Sequence, residues 1–165
     1  MHRSHWFTIA LMLTGLPLAP ARAQEGTGTE GQAVLATVDS LLEAMSRRDV
    51  ATSRRLLIPG AVFQSIRDGD APGTSRVQDD AAYLHSLAAD TSALRERYWL
   101  PVTQIAGPLA QVWAPYDFHV NGVFSHCGVD SFNLLKTTTG WQVASVTYTV
   151  KRQGCVSSPL GPPAP

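Results

Sequence analysis

The sequence predicts an α+β fold, with N-terminal helices packed in a curved antiparallel sheet that follows them. Three observations carry this. Apolar residues recur at helical spacing up to about residue 89 and then switch to a period of two. The later runs are rich in Val, Phe, Tyr and Trp, the residues that suit a pleated, half-buried surface. Turn signals separate those runs at Gly107-Pro108, Asn121-Gly122 and Thr138-Thr139-Gly140. Helices first and strands afterwards is the α+β order.

The chain has 165 residues. Residues 1–23 read as a signal peptide: His2 and Arg3 open it, an apolar run spans 6–18, and Pro20-Ala21-Arg22-Ala23 ends in the small-x-small cleavage pattern. That run is shorter than a transmembrane helix. The expectation is an exported protein, periplasmic or secreted, cleaved near Ala23 and free of the membrane afterwards. Residues 24–31 (QEGTGTEG) form a polar linker, 32–155 the folded domain, and 156–165 (VSSPLGPPAP) a Pro-rich tail expected to be disordered.

Within the domain, Val34, Leu35, Val38, Leu41, Leu42 and Met45 predict a helix over 32–47, and Arg47-Arg48 favour its C-terminal end through the helix dipole. Asp49 suits the N-cap of a second helix over 50–57, which Pro59-Gly60 stops. Residues 61–67 alternate as a strand, and 68–73 form a loop. Ser75 then caps a third helix over 76–89, with Val77, Ala81, Leu84, Leu87 and Ala88 on its apolar side. Four strands follow as a meander: 97–105, 109–120, 123–136 and 141–151.

Charge excludes two partner classes. The chain carries 13 basic and 13 acidic residues; without Arg3 and Arg22 it has 11 against 13, a net charge of −2. Such a balance offers no field for nucleic acid or for an anionic membrane surface. There is also no GxSxG, P-loop, GxGxxG, HExxH or CxxC, so cofactor-dependent chemistry has no support and no cofactor is expected.

The candidate site lies in the hairpin turning at Asn121-Gly122. Asn-Gly supplies the positive φ that a two-residue type I′ turn requires at both positions. If Val120 faces Val123, Asp117 faces His126 and Trp113 faces Asp130, which puts all four on one face. Asp117, His126 and Asp130 are therefore the catalytic candidates, because carboxylates beside an imidazole fix its tautomer and can move a proton. A cross-strand charged pair on an outer face reads the same way and is worth a fraction of a kcal/mol. His119 shares that face, and His85 lies on the third helix. As metal ligands, two carboxylates and one histidine on adjacent strands are too generic.

Tyr116 and Phe118 fall on the opposite, more apolar face with Val112, Ala114 and Val120. Trp113, Tyr116, Phe118, Phe132 and Tyr148 are the ligand-binding candidates, and buried aromatics with satisfied hydroxyls are the rival reading. Which face is concave stays open. So does the last hairpin: a two-residue turn puts Thr147 opposite Asp130, whereas a Gly bulge puts Tyr148 there. Cys127 adjoins His126, but alternation sends neighbouring strand residues to opposite faces, which argues against a Cys–His nucleophile. Cys127 and Cys155 form a candidate disulfide that would pin the tail to the sheet after export, with geometry deciding.

Trp113-Ala-Pro-Tyr-Asp-Phe118, Ser125-His-Cys-Gly-Val-Asp-Ser-Phe132 and Gly140-Trp141, set in this order of elements over about 31–151, resemble the secreted bacterial members of the nuclear transport factor 2-like superfamily. That superfamily includes SnoaL-like cyclases, ketosteroid isomerases and lumazine-binding-like proteins. The resemblance implies a cone-shaped sheet wrapped around helices, an apolar pocket and a homodimer formed through the sheet. The isomerases' tyrosine and aspartates have no aligned motif here, so no catalytic residue is carried over. The reading that follows is an exported domain binding a small apolar or aromatic molecule in its cone, more a binding protein than an enzyme. An acid–base isomerase, cyclase or hydrolase and a non-catalytic dimerisation module are the alternatives.

Overall fold

The computed structural model describes residues 24–25, 28–69, 71–72 and 74–163. The expected signal peptide and the last two residues of the tail lie outside them. Among the described residues, no helix is long and apolar enough to cross a membrane.

Helix α1 (Thr29–Ser46) starts three residues earlier than the apolar spacing alone indicates, and its buried stripe is Val34, Val38, Leu41, Ala44 and Met45. Arg48, at φ 58°, turns the chain out of α1. Asp49 then caps α2 (Val50–Leu56) by accepting a hydrogen bond from the Thr52 amide at 2.9 Å. Helix α3 (Asp80–Ala89) is capped by Asp79, which accepts from the Ala82 amide at 2.8 Å. The helix expected over 76–89 thus begins four residues late. Residues Arg76–Asp79 instead pair antiparallel with the strand before them, where backbone hydrogen bonds replace those of a first helical turn.

The strands are β1 (Gln24–Glu25), β2 (Leu57–Arg67), β3 (Arg76–Asp79), β4 (Leu94–Tyr98), β5 (Val102–Ala106), β6 (Leu109–Val120), β7 (Val123–Thr137) and β8 (Gly140–Val150). They form one curved sheet in the order β1-β5-β6-β7-β8-β2-β3, with β4 also pairing with β6. All pairs are antiparallel except β2 with β8, which run parallel, so the sheet is mixed. The strand expected over 97–105 is two strands. Leu100 adopts φ 46° and Pro101 has no N–H to donate, which interrupts the ladder. β4 and β5 therefore pair with opposite halves of β6.

Helix α1 crosses the concave side of the sheet, packing against β4, β5, β6 and β8. Val112, Phe132 and Leu134 pack in one cluster with Val34 and Val38 of α1, all at most 1 % exposed, and Ala114 and Tyr116 of β6 are buried to the same degree. Fully burying each large apolar side chain contributes about 1.5–3 kcal/mol, so this layer holds the fold together.

Both long hairpins close with two-residue turns, and both carry a bulge further along. In the first, Val120 faces Val123 and His119 faces Phe124, but Phe118 faces His126, so Ser125 is an extra residue in β7. In the second, Thr137 faces Gly140, but Asn133 faces Ser145 while Leu134 faces Val143, so Ala144 is extra in β8. The first bulge corrects the expected register. Asp117 faces Cys127 rather than His126, and Trp113 faces Ser131 rather than Asp130. The four residues placed on one face from the turn alone are divided between two faces. The second bulge places Tyr148 opposite Asp130, although the turn itself has two residues.

Candidate functional site

A cavity of about 170 Å³ opens where α1 meets the concave face. Its wall is mostly apolar and aromatic: Leu41, Leu42 and Met45 from α1, then Phe63, Tyr83, Phe118, Phe132, Val146 and Tyr148. Phe63 stacks on Tyr83 with ring centroids 4.2 Å apart, and Phe118 on His126 at 4.9 Å. The polar side chains on this wall are the ionisable Glu96, Asp130 and His126, with the amide of Gln78.

Each polar side chain arrives through strand alternation. Glu96 sits in β4 between Arg95 and Arg97 and is paired with Phe118 across the sheet. Phe118 is paired in turn with His126, and past the bulge Asp130 points into the cone with Phe132. The Glu96 and Asp130 carboxyls act on each other's protonation, and two buried carboxyls so placed are held by one proton between them. Asp130 is 2 % exposed, and no N–H or hydroxyl reaches its buried Oδ2. Burial lifts the Glu96 carboxyl to about 7; its hydrogen bond with Asp130 opposes the rise and the charge of Asp117 adds to it. Asp130 is pushed well above the ordinary carboxylate range by burial, then by the charge and hydrogen bond of Glu96. His126 moves the other way, down to about 4, because burial and the charges of Arg152 and Arg67 disfavour the imidazolium. At neutral pH the cone thus holds a neutral imidazole beside a carboxyl pair that retains a proton. Glu96 also lines the groove between α1 and β4, which places it at the edge of the cone.

The other candidates go elsewhere. Asp117 points away from the cone and is 5 % exposed, bound through two oxygens by Arg97 (Nε to Oδ1 2.9 Å, Nη2 to Oδ2 2.5 Å). Arg97 Nη1 also donates to the Gly161 carbonyl at 2.9 Å, so the C-terminal segment lies against this ion pair. His119 is with Asp117, its Nδ1 3.6 Å from Oδ1, and not with His126; the Ser125 bulge again explains the exchange of faces. Trp113 is on the convex face and 52 % exposed, beside Val102, so it lines no part of the cone. On the convex face near it, Gln111 bonds Ser131, and Asn133 bonds Ser145. Tyr116 is buried at 1 % exposure, its hydroxyl donates to the Thr149 carbonyl at 2.8 Å, and it does not line this cavity. Phe118, Phe132 and Tyr148 line the cavity. Cys127 and Cys155 are joined by a disulfide, 28 residues apart in sequence. Among the described residues, no group of three His, Cys, Asp or Glu side chains is placed to hold a metal ion.

Glu96 is the residue that sequence reasoning missed. Leu94-Arg95-Glu96-Arg97-Tyr98 has three charges in five residues and reads as exposed chain. Its signal was the alternation itself, with Leu94, Glu96 and Tyr98 on one side and the two arginines on the other.

No protein-family model matches the chain, and no curated protein matches it in sequence. Solved structures do resemble it. A candidate dehydratase of the nuclear transport factor 2-like family from Streptomyces avermitilis is 20 % identical, covering 74 % of this chain and 96 % of its own with a TM-score of 0.60. A nuclear transport factor 2-like protein from Cytophaga hutchinsonii is 14 % identical over 74 % of this chain and 99 % of its own, TM-score 0.63. A nuclear transport factor 2-like superfamily protein from Salmonella enterica is 17 % identical over 79 % of this chain and 96 % of its own, TM-score 0.59. The chain has the nuclear transport factor 2-like fold, an α+β cone.

Proposed function

We propose that the cone binds a small, largely apolar or aromatic molecule whose one polar group reaches Glu96 and Asp130. The shape and lining of the cavity support this reading, since a ring-lined space with a few convergent polar groups is how small-molecule sites are built. Its size suits a single-ring compound, because a cavity of about 150 Å³ accommodates benzene. Toluene titrated into the isotope-labelled protein is expected to shift the methyl signals of Leu41, Leu42 and Val146. Val146→Phe, which fills the space, should abolish those shifts while the protein remains folded by circular dichroism. Unchanged methyl signals with toluene and with benzyl alcohol would count decisively against a binding cone.

One observation favours a second reading, acid–base catalysis. Glu96 titrates near neutrality beside a carboxyl held protonated at higher pH, so base and acid are both present. Ionised Glu96 could take a proton from carbon next to a carbonyl while Asp130 gives its proton to the carbonyl oxygen. Deuterium uptake from heavy water into cyclohexanone, faster with the protein and lost in Glu96→Gln, is the expected signature. Equal uptake with that variant rules the reading out.

We also propose export to an oxidising compartment. The support is the Cys127–Cys155 disulfide, since such bonds persist outside the reducing cytoplasm.

A further inference from the structure

Among the described residues, no ion pair supplies a counter-charge to the cone's two carboxyl groups. The ion pairs of the described residues use Glu30, Glu43, Asp68, Asp90 and Asp117, and neither Glu96 nor Asp130 takes part in one. No lysine or arginine lines the cavity. Arg95 and Arg97, which flank Glu96 in β4, alternate onto the opposite face, where they pair across the sheet with His119 and Asp117, and Arg97 binds Asp117. The imidazole of His126 is neutral and engaged at Nδ1 with the Ser125 hydroxyl, 3.0 Å away. Asp130 Oδ2 is buried and, among the described residues, has no hydrogen-bond partner, so it is an acceptor free to meet a donor.

A buried carboxylate left in this state is costly, because burial removes its hydration and nothing replaces it. Ligands differ in what they supply. A neutral alcohol brings one donor and no charge. A carboxylate ligand adds like charge and is repelled. An ammonium brings both a charge and several N–H donors, and the rings of Phe63, Tyr83, Phe118 and Tyr148 present π-systems that attract a cation.

We propose that the ligand of the cone is a small organic cation, an ammonium on an apolar or aromatic body, with its charge on the Glu96–Asp130 pair and its body among the aromatic rings. The inference rests on the binding reading above and narrows it to one ligand class.

Three probes that share a ring and differ in the polar group test it: benzylammonium, benzyl alcohol and benzoate, titrated at pH 7.5 and followed by methyl chemical shifts. Benzylammonium is expected to bind at least about tenfold more tightly than benzyl alcohol, with benzoate not binding. Glu96→Gln and Asp130→Asn keep the shape of each side chain. Each should weaken benzylammonium about tenfold and leave benzyl alcohol within about threefold. If benzyl alcohol binds as tightly as benzylammonium, or if both variants keep the preference, the cation inference is overturned and the binding cone stands. If none of the three probes binds the wild-type protein, both fall.

Discussion

Two carboxyl groups that share a proton are stable together only while the proton stays. Glu96 has an ordinary value of 4.5 that folding lifts to about 7, so over that window the folded chain binds more protons than the unfolded one. Stability from this pair is full below pH 4.5 and is lost as pH rises through about 7. His126 has the opposite sign: its value drops from 6.5 to about 4, so its contribution grows as pH rises between those limits. The two offset each other in mildly acidic solution, and above about pH 6.5 the carboxyl pair acts alone. The melting temperature is therefore expected to fall between pH 6.5 and 8, and Glu96→Gln to flatten that fall and add about 1–2 kcal/mol at pH 8. Thermal unfolding of both proteins across this range measures it; a variant with the wild-type pH profile contradicts the pairing. At this scale the sequence showed part of the group. His126 and Asp130 stood out as titratable residues in an apolar hairpin, but their partner Glu96 sat in a run of charges that disguised a strand.

Strands with a two-residue side-chain period amplify small errors. Asn121-Gly122 and Thr138-Thr139 close the turns that turn chemistry indicates, and beyond each turn one extra residue, Ser125 or Ala144, exchanges the faces. A bulge depends on how a strand bends to stay packed on its neighbours, and nothing at Ser125 or Ala144 marks it locally. The same bend explains Gly128. A Cβ there would lie 2.0 Å from the Thr149 carbonyl oxygen, the acceptor for the Tyr116 hydroxyl. Gly128→Ala must push β8 away from β7 and break that hydrogen bond. A loss of about 3 kcal/mol or more is expected, read as a lower urea midpoint with an unchanged slope. A midpoint equal to wild type would mean that the two strands are not in close contact at this point. The helices were easier to read, since the buried stripe of α1 follows from residue spacing alone, and the late start of α3 comes from a tertiary pairing between β3 and β2.

For the whole molecule, the disulfide and the C-terminal segment close one side of the sheet. Cys127 ties Cys155 to β7, and six residues on, the Gly161 carbonyl accepts from the Arg97 guanidinium that holds Asp117. A crosslink spanning 28 residues restricts the unfolded chain enough to contribute about 3–4 kcal/mol in a loop-entropy account. The Cys127→Ser, Cys155→Ser double variant should accordingly melt well below wild type. Reductant should lower the wild-type melting temperature toward the variant's and leave the variant unmoved. If reductant leaves the wild type unmoved as well, the bond does not stabilise the fold in solution.

By itself the sequence determined the class of the fold, the order of helices before strands, the position of both hairpin turns and the apolar stripe of α1. These rest on residue spacing and on the backbone preferences of a few turn residues, which are local properties. Only the tertiary structure decided which face of β6 and β7 is concave, that Asp117 and Asp130 lie on opposite sides of it, and that Glu96 completes the pair in the cone. Those depend on one-residue bulges and on strand neighbours distant in sequence. The energy that selects them comes from packing the whole sheet around α1, and no short stretch of residues contains it.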